Sequence, residues 1–142
     1  MAKTYKKLQM STVRFEDLDV VAVYDIDPEK REKAAKDGFC VYATAEEFFE
    51  TDIDLVLIAT PNNFHKYYSI MAMEMGKNVV CEKPACLSVE ELEEVLAVSR
   101  ETGKFYTVHQ NRRFDIDYVI AKKIVEEGNL GKLFMLESRL YS

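Results

Sequence analysis

The chain has 142 residues, of which 48% are hydrophobic and 31% charged, a composition typical of a soluble domain with one sizeable core. The formal net charge of −6 argues against nucleic acid or an anionic membrane surface as a partner, because both favour a basic field. The apolar runs are too short to cross a bilayer, and the sequence shows no export signal, so we expect a cytoplasmic protein.

Three cysteines, Cys40, Cys81 and Cys86, give an odd number without the spacing of metal ligands. We therefore expect reduced thiols and no zinc site.

Helices and strands alternate along the chain. Strands are predicted over about 18–24, 39–42, 55–59, 78–81, 105–108 and 132–141. Helices are predicted over about 1–10, 28–38, 63–75, 88–102 and 116–127, with a further short helix that starts at Thr44. Helix starts are indicated by Asp27 before Pro28, by Thr44 with Glu47 and by Ser88 with Glu91, and helix ends by Gly38, Gly76 and Gly103. This alternation predicts a doubly wound α/β fold with a parallel sheet.

The segment 54–84, DLVLIATPNNFHKYYSIMAMEMGKNVVCEKP, contains a complete strand, helix and strand. Its first strand ends at Thr60-Pro61-Asn62, and its second ends at Glu82-Lys83-Pro84. Because ligands of open parallel sheets bind beyond the carboxyl ends of the strands, these polar tails are expected at one edge. Asp25 and the segment His109-Gln110-Asn111-Arg112-Arg113 follow two further strands and should join them.

An acid after the second strand of such a fold suits hydrogen bonds to adenosine ribose hydroxyls and would repel a 2′-phosphate. Asp25 therefore favours NAD over NADP, although turn chemistry beside Asp27-Pro28 is an alternative.

Other residues at this edge also allow structural interpretations. Asn62 or Asn63 can cap the following helix, and His65 in its first turn can be a solvated residue. Lys83 at the end of an apolar strand needs a partner, which is either Glu82 or a ligand. His109 is ambiguous. Arg112 and Arg113 can form a solvated helix start, but cations are unfavourable there, which favours contact with a partner or ligand.

The sequences ATPNNFH at 59–65, GKNVVCEKP at 76–84 and HQNRRFD at 109–115 together resemble the Gfo/Idh/MocA family of nicotinamide-dependent sugar and polyol oxidoreductases. Similar stretches are VVAVYDIDPEK at 20–30 and EEGNLGKL at 126–133. The resemblance implies a Rossmann-like cofactor domain followed by an α/β substrate domain, and hydride transfer between NAD and a sugar- or polyol-like substrate. A homo-oligomer is expected for the full-length form.

The resemblance also implies roles for individual residues. Lys83 would be catalytic, contacting the substrate hydroxyl or the nicotinamide side, while Glu82 would bind the nicotinamide ribose and Asp25 the adenosine ribose. Further expected cofactor-binding residues are Thr60, Pro61, Asn62, His65 and Asn111. Arg112 and Arg113 are candidates for substrate contact.

The family pattern begins with a strand and a glycine-rich loop, whereas this sequence begins MAKTYKKL, with Ala2 at the third small position of that loop. We therefore expect a domain over 1–131 whose sheet lacks its first, central strand, and a strand over 132–142 that opens a second domain. A chain of this kind is expected to bind NAD weakly or not at all and to catalyse nothing measurable, and its strand edges invite association. The alternatives are a non-catalytic dinucleotide-binding or sensor module and an inactive structural fragment.

Overall fold

The computed structural model describes residues 19–139. The helix predicted over 1–10, the assignment of Ala2 to the glycine loop, and the outer ends of the strands predicted at 18 and at 140–142 lie outside the described residues.

Within residues 19–139, five short strands form two parallel sheets, which agrees with the α/β prediction. Strand β1 (Ala22–Val23) pairs with β2 (Cys40–Val41) in one sheet. Strands β3 (Leu55–Ile58), β4 (Asn78–Cys81) and β5 (Tyr106–Val108) form the other, in that order.

A helix follows each of the first four strands. These helices are α1 (Pro28–Lys36), α2 (Ala45–Phe49), α3 (His65–Glu74) and α4 (Val89–Thr102), with a short 3-10 helix at Asn62–Phe64 before α3. Helix α2 is the one that leads from the smaller sheet to the larger. The Asp27 side chain accepts a hydrogen bond from Glu29 N at the start of α1, and Thr44 and Glu47 form the reciprocal capping box predicted for α2. Gly103 ends α4 in the left-handed conformation, with φ of 66°, which a residue without Cβ adopts most easily.

The core lies between the larger sheet and its helices. Alternate residues of the sheet are buried in β3 (Val56, Ile58) and β4 (Val79, Cys81), as expected for strands whose side chains alternate between faces. The other buried apolar residues come from the helices: Ala45, Phe49, Ala72, Met73 and Val95. This packing fixes the carboxyl ends of β3 and β4 next to the start of α3.

The two sheets are not joined by strand pairing within residues 19–139. Apolar side chains in both regions are accessible: Val21, next to β1, is 52% exposed and Leu57, in β3, is 48% exposed. A doubly wound sheet interrupted at its middle was expected from the sequence, because the first strand of the usual order is the central one.

The chain divides into two compact units, whose described parts are residues 19–110 and 111–139. The second contains a 3-10 helix at Asn111–Phe114 and helix α5 (Ile116–Glu126). Residues 132–139 form no strand, so the strand prediction is wrong for this part of the segment, since none of the described residues pairs with it. The described helices include none with the length and apolar character needed to span a membrane.

Candidate functional site

The carboxyl ends of the three strands of the larger sheet are in register. Ile58 aligns with Cys81, and Cys81 aligns with Val108. The ladder continues just beyond them, because Glu82 N donates to Ile58 O at 2.8 Å and His109 N donates to Cys81 O at 2.7 Å. Thr60, Glu82 and His109 therefore follow neighbouring strands at one edge, as parallel pairing requires.

Glu82 and His109 form a direct side-chain contact at this edge. His109 Nδ1 lies 2.8 Å from Glu82 Oε1, and the two side chains are 26% and 29% exposed, respectively. The pKa of the Glu82 carboxyl is lowered, chiefly because the His109 ring hydrogen-bonds to its ionised form. The edge thus holds an oriented carboxylate that stays charged at neutral pH.

Sequence reasoning left His109 without a role. Its position could have been found from the register of a parallel sheet, because His109 comes one residue after Val108, and Glu82 comes one residue after Cys81. Side chains in equivalent positions on neighbouring parallel strands lie on the same face.

Lys83 is exposed and forms no ion pair with any residue of the described range 19–139. The alternative in which Lys83 forms a structural pair with Glu82 is wrong, because the partner of Glu82 is His109. An exposed ammonium group beside an oriented carboxylate is available to a ligand.

Thr60 presents a hydroxyl that lacks a partner. Its Oγ1 is buried and makes no hydrogen bond within the described structure. Buried hydroxyls are nearly always hydrogen-bonded, so an orphaned one at a sheet edge is the feature expected where a ligand completes the bonding.

Pro61 and Asn62 continue from Thr60 into the 3-10 helix and are exposed. Neither Asn62 nor Asn63 caps the following helices, whose starts have no side-chain cap. The capping alternative is therefore wrong, and the amides remain available for other contacts.

His65 is 1% exposed, so its interpretation as a solvated residue is wrong. Its Nδ1 lies 2.7 Å from Pro84 O and its Nε2 lies 2.9 Å from Thr60 O. Both ring nitrogens thus contact backbone oxygens. Direct contact with a cofactor stays a prediction, and the ring would have to exchange one of these partners to make it.

Asp25 takes part in the turn after β1. Its Oδ1 accepts from Asp27 N at 2.9 Å, while Oδ2 lies 3.4 Å from Lys30 Nζ. Arg31 secures the same turn by donating to the carbonyl oxygen of Asp25 at 2.6 Å. The turn interpretation is confirmed for Oδ1, and ribose binding by Asp25 stays a prediction that now rests on Oδ2.

Asn111, Arg112 and Arg113 belong to the second unit, in its 3-10 helix. Arg112 pairs with Asp115 at 3.4 Å and is largely exposed. Their participation in the site remains a prediction.

Comparison with known proteins identifies the family to which the chain belongs. Residues 2–110 match the family model described as an oxidoreductase family with an NAD-binding Rossmann fold, GFO_IDH_MocA. The chain belongs to the Gfo/Idh/MocA oxidoreductase family. The family resemblance and the Rossmann-like fold that were expected from the sequence are thereby confirmed.

Proteins with similar structures include an NAD-binding protein from Listeria innocua, 43% identical, with a TM-score of 0.79 over 82% of this chain and 35% of that one. The myo-inositol 2-dehydrogenase of Lactobacillus plantarum is 33% identical, with a TM-score of 0.76 over 82% of this chain and 36% of that one. The scyllo-inositol 2-dehydrogenase (NADP(+)) of Bacillus subtilis is 32% identical over 80% of this chain and 33% of its own length. The chain spans about a third of the length of the curated Gfo/Idh/MocA relatives that it matches.

Proposed function

We propose that this chain is the cofactor-binding part of an oxidoreductase that transfers a hydride between a nicotinamide cofactor and a sugar- or polyol-like substrate. Family membership and two inositol dehydrogenases among the relatives support the class of reaction. The observation in this molecule that supports the proposal most directly is the buried hydroxyl of Thr60, which lies at the carboxyl edge of the sheet and has no hydrogen-bond partner in the described structure.

The residues at the edge fit a nicotinamide dinucleotide, which when bound supplies hydride chemistry. Thr60 Oγ1 is inaccessible in this structure and would donate to a phosphate or ribose oxygen after rotation of its side chain, and Pro61 and Asn62 offer an exposed surface beside it. Asp25 would accept from the adenosine ribose through Oδ2, because Oδ1 is held by the turn.

Glu82 and Lys83 would act at the other end of the cofactor. His109 keeps the Glu82 carboxylate ionised and oriented, as needed to accept hydrogen bonds from the nicotinamide ribose. Lys83 has an exposed cation beside that carboxylate and would hold the substrate hydroxyl or exchange its proton. Asn111 would extend the cofactor contacts, and Arg112 and Arg113 those to the substrate.

A preference for NAD over NADP follows from the Asp25 carboxylate, which repels a 2′-phosphate. Lys30 opposes this preference, since its ammonium group lies 3.4 Å from Oδ2 and is 66% exposed. The preference is therefore expected to be moderate. We also propose a cytoplasmic protein, and a homo-oligomeric full-length form.

Titration calorimetry with NAD and with NADP tests this assignment. We expect weak binding of NAD, weaker binding of NADP, and loss of the difference in Asp25→Ala. The matched control is Asp54→Ala, an exposed acid at the amino end of β3, which should leave both affinities unchanged. Equal affinities for NAD and NADP in the unaltered chain would contradict the role of Asp25.

A further inference from the structure

His65 connects the two turns that carry the candidate cofactor residues. One ring nitrogen contacts the carbonyl oxygen of Thr60, after β3, and the other contacts that of Pro84, after β4. The ring is 1% exposed, so water does not take part in either contact. A single side chain thus spans the carboxyl ends of two neighbouring strands.

The chemistry of these contacts restricts the protonation state of the ring. Both partners are carbonyl oxygens, which only accept hydrogen bonds, and a neutral imidazole has one N–H donor and one lone pair. With a neutral ring, one lone pair would face a carbonyl oxygen at under 3 Å, at either 2.7 Å or 2.9 Å. Only the doubly protonated ring donates at both positions.

We propose that His65 is a positioning residue whose doubly protonated ring donates to Thr60 O and Pro84 O together and so fixes the turns at 60–62 and 82–84 relative to each other. The placement at the start of α3 opposes a positive charge. Burial of the charge adds a desolvation cost, and the proposal requires the two short charge-assisted hydrogen bonds to outweigh both costs. Loss of the ring would leave two carbonyl oxygens without these donors.

This role rests on the proposed function, because the turns matter only if they hold a cofactor. The Thr60 hydroxyl and the Glu82 carboxylate sit on the two turns that His65 connects. A small displacement of either turn would move its group away from the position in which both groups can bind the same ligand.

The first test is independent of any ligand. Long-range ¹H–¹⁵N correlation spectra of the 142-residue chain report whether each ring nitrogen of His65 carries a proton. We expect both nitrogens of His65 to be protonated and both N–H protons to exchange slowly with water. A single unprotonated nitrogen would overturn the proposal, whether or not the chain binds NAD.

The second test uses two substitutions and a control. His65→Phe keeps a planar ring and removes both donors, whereas His65→Gln keeps donors on one nitrogen only. We expect NAD affinity to fall by about tenfold or more in His65→Phe and by less in His65→Gln, with the amide signals of Thr60, Asn62, Glu82, Lys83 and Ala85 displaced in both.

Ser69→Ala is the control for a buried polar side chain of the same helix, since Ser69 is fully buried and its hydroxyl lies beside Cys81 and Tyr106 rather than at the two carbonyl oxygens that His65 contacts. It should leave NAD affinity and these amide signals unchanged. An unchanged affinity in His65→Phe would overturn the positioning role, whereas a chain that binds no NAD but shows the doubly protonated ring would contradict the proposed function alone. If His65→Phe does not fold, the ring spectrum and His65→Gln still decide the matter.

Discussion

At the scale of single residues, the pair formed by Glu82 and His109 makes the edge of the sheet sensitive to pH. The pKa of Glu82 is lowered from its usual value of 4.5, mainly by the hydrogen bond with the His109 ring. A carboxyl group whose pKa is lower in the folded state binds protons less readily there than in the unfolded chain. The resulting stability is therefore fully present above about pH 4.5 and is lost as the pH falls through the lowered folded-state pKa.

We expect Glu82→Gln to reduce the free energy of unfolding at pH 7 by about 1 kcal/mol or less, because the pair is partly exposed. The difference from the unaltered chain should shrink as the pH is lowered below 4.5. Urea denaturation at several pH values measures it, with Glu74→Gln, an exposed acid at the end of α3, as the control. A difference that grows at low pH would show that the carboxylate is not stabilised by His109.

The effect of replacing Lys83 distinguishes the two proposed functions, an enzyme and a non-catalytic cofactor-binding module. In a form of the protein that also has a substrate domain, Lys83→Ala should lower kcat by on the order of 10² or more, the range for one positioned acid-base group. Cofactor affinity should change far less, because the proposed contact is at the reacting carbon.

Steady-state kinetics with a polyol substrate, together with NAD binding, measures the two effects. Lys33→Ala, an exposed lysine on α1, should leave both unchanged. An unaltered kcat in Lys83→Ala would remove the lysine from the catalytic machinery and favour the non-catalytic module.

At the scale of elements, local signals in the sequence decide most helix boundaries. Thr44 accepts from Glu47 N at 3.2 Å, and Glu47 Oε2 accepts in return from Thr44 N at 3.3 Å. This reciprocal bonding needs only residues three positions apart, so it can be predicted without knowledge of the tertiary structure.

Removal of this cap tests its contribution. Thr44→Ala should lower the free energy of unfolding by about 1 kcal/mol, because it leaves orphan donors at the start of α2. Thr44→Ser retains the hydroxyl and should restore most of the loss. Thermal and urea denaturation provide the measurement, and equal stability of Thr44→Ala and the unaltered chain would show that α2 does not depend on the box.

Elements that depend on distant partners were harder to predict. Residues 132–139 have the alternation of a strand but form none, since a ladder needs a second strand and the described residues supply none. The partner of Glu82 was also missed, because His109 lies 27 positions away and meets it only through the register of β4 and β5. Similarly, the contact between the His65 ring and the carbonyl oxygen of Pro84 joins residues 19 positions apart, so it could not be predicted from local sequence.

At the scale of the whole molecule, the order of strands and helices was predictable because apolar runs and caps alternate so regularly along the sequence. The carboxyl ends of β3, β4 and β5 lie at one edge, as parallel pairing dictates. Whether Asp25, after β1 of the separate sheet, converges with Thr60 and Glu82 on one ligand stays a prediction.

The central claim is that this edge binds a nicotinamide dinucleotide, and an amide-resolved NMR titration of the 142-residue chain with NAD tests it most directly. We expect weak, saturable shifts on the order of millimolar NAD, confined to the amides of Asp25, Thr60, Asn62, Glu82 and Lys83. The amides of Asp54, Lys77 and Lys104, at the amino ends of β3, β4 and β5, should not move. Shifts confined to those amino-end amides, or no saturable shift at the carboxyl edge, would contradict the claim.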